Sequence, residues 1–390
     1  MDTRVPLEAL TRLNMESLQT PEGFTIHPKL GRQLQRRAHE FGPDFRLEWA
    51  HAETRAFGSL LEAGVPIRLS GQDSERGTFS QRHLVLHDAE TGAEHVPLGG
   101  IGSARFEVYN SPLTETAVLG FEYGYEVGTD PDLVLWEAQF GDFVNVAQVI
   151  IDQFIASGHT KWGQAARLTL LLPHGHEGQG PEHTSARPER FLQLCAEGNM
   201  SVAIPTTPAQ YFHLLRRQAL TPVPRPLIVM TPKSLLRHPK ATSPLSELAE
   251  GAFHPVLDDP SAKERREEIT HLTLCTGKLY YDLETHPERE GLSHVAIGRV
   301  EGLYPFPGDA LDRLVTSLPN LERVIWAQEE PMNQGALSYI GPRLRSVVPR
   351  NIPLIPVARP NRASPAEGKA QDHAREQKRI VEEALGLRQG

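Results

Sequence analysis

The sequence predicts an α/β protein with two doubly wound domains, each a mostly parallel sheet with helices on both faces. Three observations carry that expectation. Short β-rich runs alternate with helical patterns along most of the chain. The runs are apolar at consecutive positions rather than at every second one, as in parallel strands buried on both faces. The alternation breaks once, over residues 233–268, and then restarts, which divides the chain in two.

Taken in order, residues 1–45 are polar and proline-punctuated and read as a linker segment. Phe45 to Gly64 reads as a helix, with Trp49, Ala56, Phe57, Leu60 and Leu61 at helical spacing and Gly64 ending it. Strands follow at 65–70, 105–110, 133–137, 167–173, 200–207 and 226–232, separated mostly by helical patterns at 114–128, 145–158, 187–199 and 208–220. These make a first domain over 46–232. Residues 233–268, rich in Pro, Ser, Lys and Glu, read as a loop-rich bridge. The second domain, 269–390, restarts with strands at 270–277, 294–302, 323–330 and 352–360. Ser364 with Glu367 three residues on is a capping box ahead of a final helix. Cys195 and Cys275 lie far apart in apolar contexts and read as two buried, reduced thiols.

Composition narrows the function. The chain of 390 residues is 39% hydrophobic and 23% charged, the profile of a globular enzyme. A net charge of −9 argues against nucleic acid or an acidic membrane surface as partner. No apolar run approaches the roughly 18 residues of a membrane span, and Met1 to Arg4 lacks the apolar core of a secretory signal, so a cytoplasmic location is expected.

Ligands of open α/β sheets bind outside the carboxyl ends of the strands. Four strand ends here are polar and charged, three of them glycine-containing: Gly71–His83, Asn110–Glu115, Glu137–Phe143 and the loop after Leu172. That last stretch, "PHGHEGQGPEHTSAR", carries three histidines on a glycine-hinged loop. Its spacing, H-x-H-x6-H, matches no standard structural zinc pattern. No phosphate-binding GxxxxGK[ST], no GxGxxG, no GxSxG, no HExxH and no CxxC pair is present.

Longer strings carry a resemblance. "RLSGQDSERGTFSQRH", "VYNSPLTETAVLGFEYGY", "WEAQFGDFVNVAQVIIDQFI", "LLLPHGHEGQGPEHTSARPERFLQLCAE", "GLYPFP" and "RPNRASPAEG" resemble the thiamine-dependent first component of the 2-oxoglutarate dehydrogenase complex, from about residue 20 to the C-terminus. The likeness is to its C-terminal portion, the transketolase-like pyrimidine-binding domain plus the C-terminal domain. The family's magnesium-binding GDG motif belongs to a diphosphate-binding domain, and no GDG triplet occurs in these residues.

The resemblance implies thiamine diphosphate and Mg2+ as cofactors, the metal held mainly by the diphosphate domain. It implies a carboxyl group beside the pyrimidine ring, which matches Glu115; the bland alternative is a helix N-terminal acid stabilised by the dipole. Phe143 is expected to stack on the pyrimidine, with Phe140 and Phe121 competing and a plain core role as the alternative. Glu122 is a second acid, supporting or at an interface. His183 matches a histidine held over the cofactor, where a near-neutral pKa suits proton transfer. His174 and His176 share its loop; one is expected to face the substrate and the other to be structural, with His174 a catalytic candidate and His176 a substrate-binding one. His83 is a further candidate for acyl transfer, or a structural histidine. Arg82 and Arg187, with Arg76, suit the carboxylates of 2-oxoglutarate, or else dimer salt bridges. In the C-terminal domain Arg299, Arg343, Arg359 and Arg362 suit an anionic effector such as acetyl-coenzyme A.

The partners implied are a diphosphate-binding half, a lipoyl-bearing succinyltransferase and a second copy of the chain, with the cofactor between subunits. The alternatives are a non-catalytic fragment, a dimerisation or regulatory module, or the β-type subunit of another 2-oxo acid dehydrogenase.

Overall fold

The computed structural model describes residues 1–38, 42–129 and 133–388. Residues 39–41 of the expected linker segment lie outside the described residues. Two sheets dominate. The first takes its six parallel strands from β1 (Ile67–Gly71), β2 (Phe106–Asn110), β3 (Leu133–Glu137), β4 (Thr169–Pro173), β5 (Ser201–Ala203) and β6 (Leu227–Thr231). The second is built from β7 (Val256–Leu257), β8 (His271–Cys275), β9 (Val295–Val300), β11 (Arg323–Pro331) and β12 (Leu354–Arg359), all parallel except β7. The strand β10 (Gly302–Tyr304) leaves the second half of the chain and pairs antiparallel with β5, giving the first sheet the order β10-β5-β6-β4-β3-β1-β2. The second sheet has the order β7-β9-β8-β11-β12.

Consecutive apolar residues in the strands serve opposite faces. Leu133 and Leu135 pack with the helices α3 (Trp49–Glu62) and α6 (Pro208–Leu220). Val134 and Trp136 face the other way, into a core shared with Leu272, Ala296 and Val324 of the second sheet. All four are at most 1% exposed, and each contributes on the order of 1.5–3 kcal/mol by burial. A one-residue slip would exchange the two sets, so the register is tightly held.

Residues 1–45 do more than link. The helix α1 (Leu7–Glu16) buries Leu10 and Leu13 in the α3 core, and Arg216 donates to the Thr3 carbonyl at 2.9 Å. A second helix, α2, runs Pro28–Arg37. The pattern read as one helix over 145–158 is a series: a 3-10 turn at Gly141–Ala147, an α turn at Gln148–Ile150, a π turn at Ile151–Ile155 and a short helix from Gly158. The expected capping box does not form. Glu367 is bound to Arg359 at 3.0 and 3.1 Å, the Ser364 hydroxyl donates to the Ala366 carbonyl, and the last helix, Ala370–Ala384, starts behind Lys369. Both cysteines are free; Cys275 is buried, Cys195 half-buried, and burial pushes each thiol up to about 12.

Candidate active site

All six parallel strands of the first sheet point their carboxyl ends to one edge, and the polar loops gather there. Two hydrogen bonds join the first two ends: Ser111 N–H donates to the Gly71 carbonyl at 2.7 Å, and Glu75 N–H to the Asn110 side chain at 3.1 Å. The Gly71 position has no room for a side chain, since a Cβ there would meet the Ser74 hydroxyl at 2.6 Å.

On this edge stands a cluster of aromatic rings from three loops. Phe140 contacts His183 edge-on at 4.5 Å, Phe143 at 5.9 Å and Phe79 at 5.6 Å between centroids; Phe143 lies 6.3 Å from His183. Phe140, Phe143 and His183 are half-buried, so each keeps a surface free. Glu115 opens the helix α4 (Glu115–Gly128), which packs on the 3-10 turn bearing Phe143, and is half-buried. His83 sits on the loop that bears Phe79, with φ of 58° and Nε2 3.1 Å from the Ser80 carbonyl oxygen. Burial lowers its pKa, and Arg37, Arg76 and Arg237 reinforce the shift.

Glu122 and Phe121 are drawn into a different assembly. Glu122 is 1% exposed and holds Arg68 bidentately at 2.7 and 3.0 Å. The Arg68 guanidinium lies 4.6 Å from the Tyr109 and Tyr125 rings and 5.4 Å from Phe121. Phe121 is 55% exposed and stacks on Tyr125, away from His183. It is not a member of the ring cluster, and Glu122 is the buried ion-pair partner of Arg68.

Three further expectations are corrected by geometry. Arg82 cannot receive a substrate carboxylate: it is 2% exposed and grips Glu53 at 2.6 and 3.1 Å and Glu137 at 2.6 and 2.7 Å. Tyr211 donates to Glu53 at 2.7 Å, so the arginine is the hub of a buried network tying α3 and α6 to the end of β3. His176 is 1% exposed and donates from Nε2 to the Pro365 carbonyl at 3.0 Å, and its Nδ1 is buried without a partner among the described residues, so the ring does not face a substrate; burial lowers its pKa to about 4. His174 is not a free acid–base group. Its Nε2 donates to Glu330 Oε1 at 2.8 Å and its Nδ1 accepts the Ala186 N–H at 3.2 Å. Burial disfavours its charge, but the Glu330 carboxylate outweighs that and raises its pKa.

Arg187, half-buried, donates to Gln334 at 3.3 Å. Arg76 stays half exposed, 3.8 Å from Asp73. In the second half of the chain Arg299 and Arg359 are buried and engaged, with Thr206 and Tyr280 and with Glu367 respectively, so neither is open to an effector. Arg343 lies over the Tyr339 ring at 3.7 Å, and Arg362 is 3.8 Å from Glu367.

Sequence reasoning passed over Glu53, Lys233 and Glu330. The signal for the last was present: "QEE" closes β11, three polar residues ending an apolar strand, all buried. Among the described residues no group of three or more His, Cys, Asp or Glu is arranged to hold a metal ion. No helix among them is long and apolar enough to cross a membrane.

Residues 46–239 match the transketolase pyrimidine-binding domain and residues 242–385 the 2-oxoglutarate dehydrogenase C-terminal domain. The chain is 54% identical over 389 residues to the 2-oxoglutarate dehydrogenase E1 component of Geobacillus sp. (strain WCH70). It is 51% identical over 392 residues to the protein of that name from Bacillus subtilis (strain 168). These alignments take in 98% and 99% of this chain but 41% and 42% of the relatives. The chain thus spans about two fifths of the length of the curated relatives it matches.

Proposed function

From a chain that belongs to the family of 2-oxoglutarate dehydrogenase E1 components, and matches their pyrimidine-binding and C-terminal domains, we propose half of a thiamine-diphosphate site. Completed by a diphosphate-binding half that holds Mg2+, it takes part in the oxidative decarboxylation of 2-oxoglutarate in the tricarboxylic acid cycle and in succinyl transfer to a lipoyl arm. The arm belongs to a succinyltransferase partner, and the setting is the cytoplasm.

The carrying observation is the pairing of the Phe140–Phe143–His183 cluster with the Glu115 helix at one sheet edge. Half-buried ring edges beside a half-buried carboxyl fit a flat aminopyrimidine: rings to pack on it, an acid to hydrogen-bond a ring nitrogen. When bound, the cofactor supplies a thiazolium carbon that becomes nucleophilic on losing its proton. Glu115 holds a proton at the pyrimidine nitrogen. Phe143 and Phe140 shield that hydrogen bond from water. His183, edge-on to Phe140, moves protons at the reacting acyl group. Arg76 and Arg187, each with guanidinium surface left, make the rim attractive to a dicarboxylate.

A second copy of the chain is proposed on the apolar face of α4 and residues 145–162. Phe121, Val146, Val149, Phe154 and Trp162 are 37 to 55% exposed there, around a groove of about 600 Å3.

The test is calorimetric titration of the chain with thiamine diphosphate and Mg2+, alone and with a diphosphate-binding half, alongside 2-oxoglutarate-dependent ferricyanide reduction. Turnover is expected only in the assembled enzyme, and Glu115→Ala should lower it by about 100-fold or more. Parent-like turnover by Glu115→Ala would remove the basis of the reading.

A further inference from the structure

The loop between β4 and the helix α5 (Pro188–Leu194) carries His183, and its glycines leave it little stiffness of its own. Gly175, Gly178 and Gly180 all have positive φ. What holds it lies elsewhere in the chain. The His174 ring bridges its base: Nδ1 takes the Ala186 N–H, and Nε2 donates to Glu330 at the end of β11. Gly175 N–H donates to the Thr184 carbonyl at 2.9 Å, closing the loop on itself around His183. Lys233 donates to the His183 carbonyl, His176 to Pro365, and Gly335 N–H to Glu189 at 2.8 Å. Thr231, Asp142 and Ser234 add bonds from outside the second domain, which itself supplies Glu330, Gly335 and Pro365.

Glu330 is the central one. It is 5% exposed, so its bond to His174 is made out of water's reach, where a charged acceptor is strong. Its carboxylate reaches the His183 loop through the imidazole of His174 and the Ala186 amide, three residues beyond His183. We propose that Glu330 is a positioning residue that, through His174, fixes the loop bearing His183 over the first sheet's edge. This rests on the reading of His183 as a cofactor-facing group, and the second domain thereby becomes part of the active-site scaffold.

Hydrogen–deuterium exchange on the chain tests it without a cofactor. Glu330→Ala should raise exchange over 174–187 by about tenfold, the worth of one charge-assisted hydrogen bond, with β4 and β6 unchanged. Glu330→Gln still accepts from Nε2 and should stay within about threefold of the parent. If Glu330→Ala does not fold, His174→Leu removes the same bridge and should give the same local rise. Unchanged loop exchange, an equal rise throughout the chain, or Gln behaving as Ala would each overturn the proposal.

In the assembled enzyme Glu330→Ala should lower kcat by about tenfold at little cost in KM, and Glu330→Gln should recover most of it. His183→Ala separates the two claims. Parent-like turnover by that variant would refute the role given to His183 and leave the exchange data to decide on the anchor.

Discussion

His176 shows how far a side chain's chemistry is set by what covers it. The ring is buried, spends its one N–H on the Pro365 carbonyl, and has its pKa lowered from 6.5 to about 4. Below pH 6.5 the unfolded chain takes up a proton that the folded ring refuses. Stability from this group is therefore intact above about pH 6.5 and is lost as pH falls toward 4. Over pH 7 to 4.5 the loss is about 2–3 kcal/mol. His174 runs the other way: with a raised pKa, its contribution is present below its unfolded value and fades as pH rises. Denaturant unfolding at pH 7 and 4.5 checks this. His176→Gln, which can still donate to Pro365, should flatten the acid loss by about that amount; an unchanged pH dependence would sink the assignment. The sequence suggests that one of His174 and His176 faces the substrate and the other is structural, but it does not give the partners that hold both. Their partners lie 156 and 189 residues away, beyond the reach of any local pattern.

At the scale of elements, the strands were legible because burial on both faces writes itself as a run of apolar residues. β3 reads over the same five residues in sequence and structure, and α6 over the same thirteen. The segment 145–158 misled because its apolar spacing does not distinguish α from 3-10 and π turns. There the fit of the 3-10 turn against the His183 loop governs. Gly141 lies so close to that loop that a Cβ would fall 2.5 Å from the Ala186 Cβ and 2.7 Å from the Pro173 oxygen. Gly141→Ala should cost about 1–3 kcal/mol in a denaturant melt and shift Phe140 and Phe143 relative to His183. A variant as stable as the parent would mean the two segments can part cheaply. Ser364 misled for a different reason: a buried arginine competed for the glutamate that the cap needed.

For the whole molecule, the apolar face of α4 and residues 145–162 calls for a partner. Tyr123, Phe154 and Trp162 contact one another in sequence, at 5.9 and 5.6 Å, and Trp162 is 52% exposed. The proposed dimer predicts that the chain sediments as two copies and that Trp162→Glu shifts it toward one, by placing a charge where water must leave. A parent chain that sediments as a single copy at high micromolar concentration would count against that face. Such an interface is only partly visible in a sequence, since nothing local marks which aromatic residues stay uncovered.

The strand Gly302–Tyr304 has a consequence for inheritance. It completes the first sheet with residues from the second half, pairing with Val202 and Ala203, while Ile204 N–H donates to the Glu301 carbonyl and the Tyr281 hydroxyl to Thr206. The two halves are therefore not interchangeable parts. Recombination between related genes near residue 240 would bring together an edge and a strand that had not diverged in step. Offspring would keep a continuous sheet only where both sides of the seam were exchanged as one, so the seam makes a single hereditary unit of what looks like two domains.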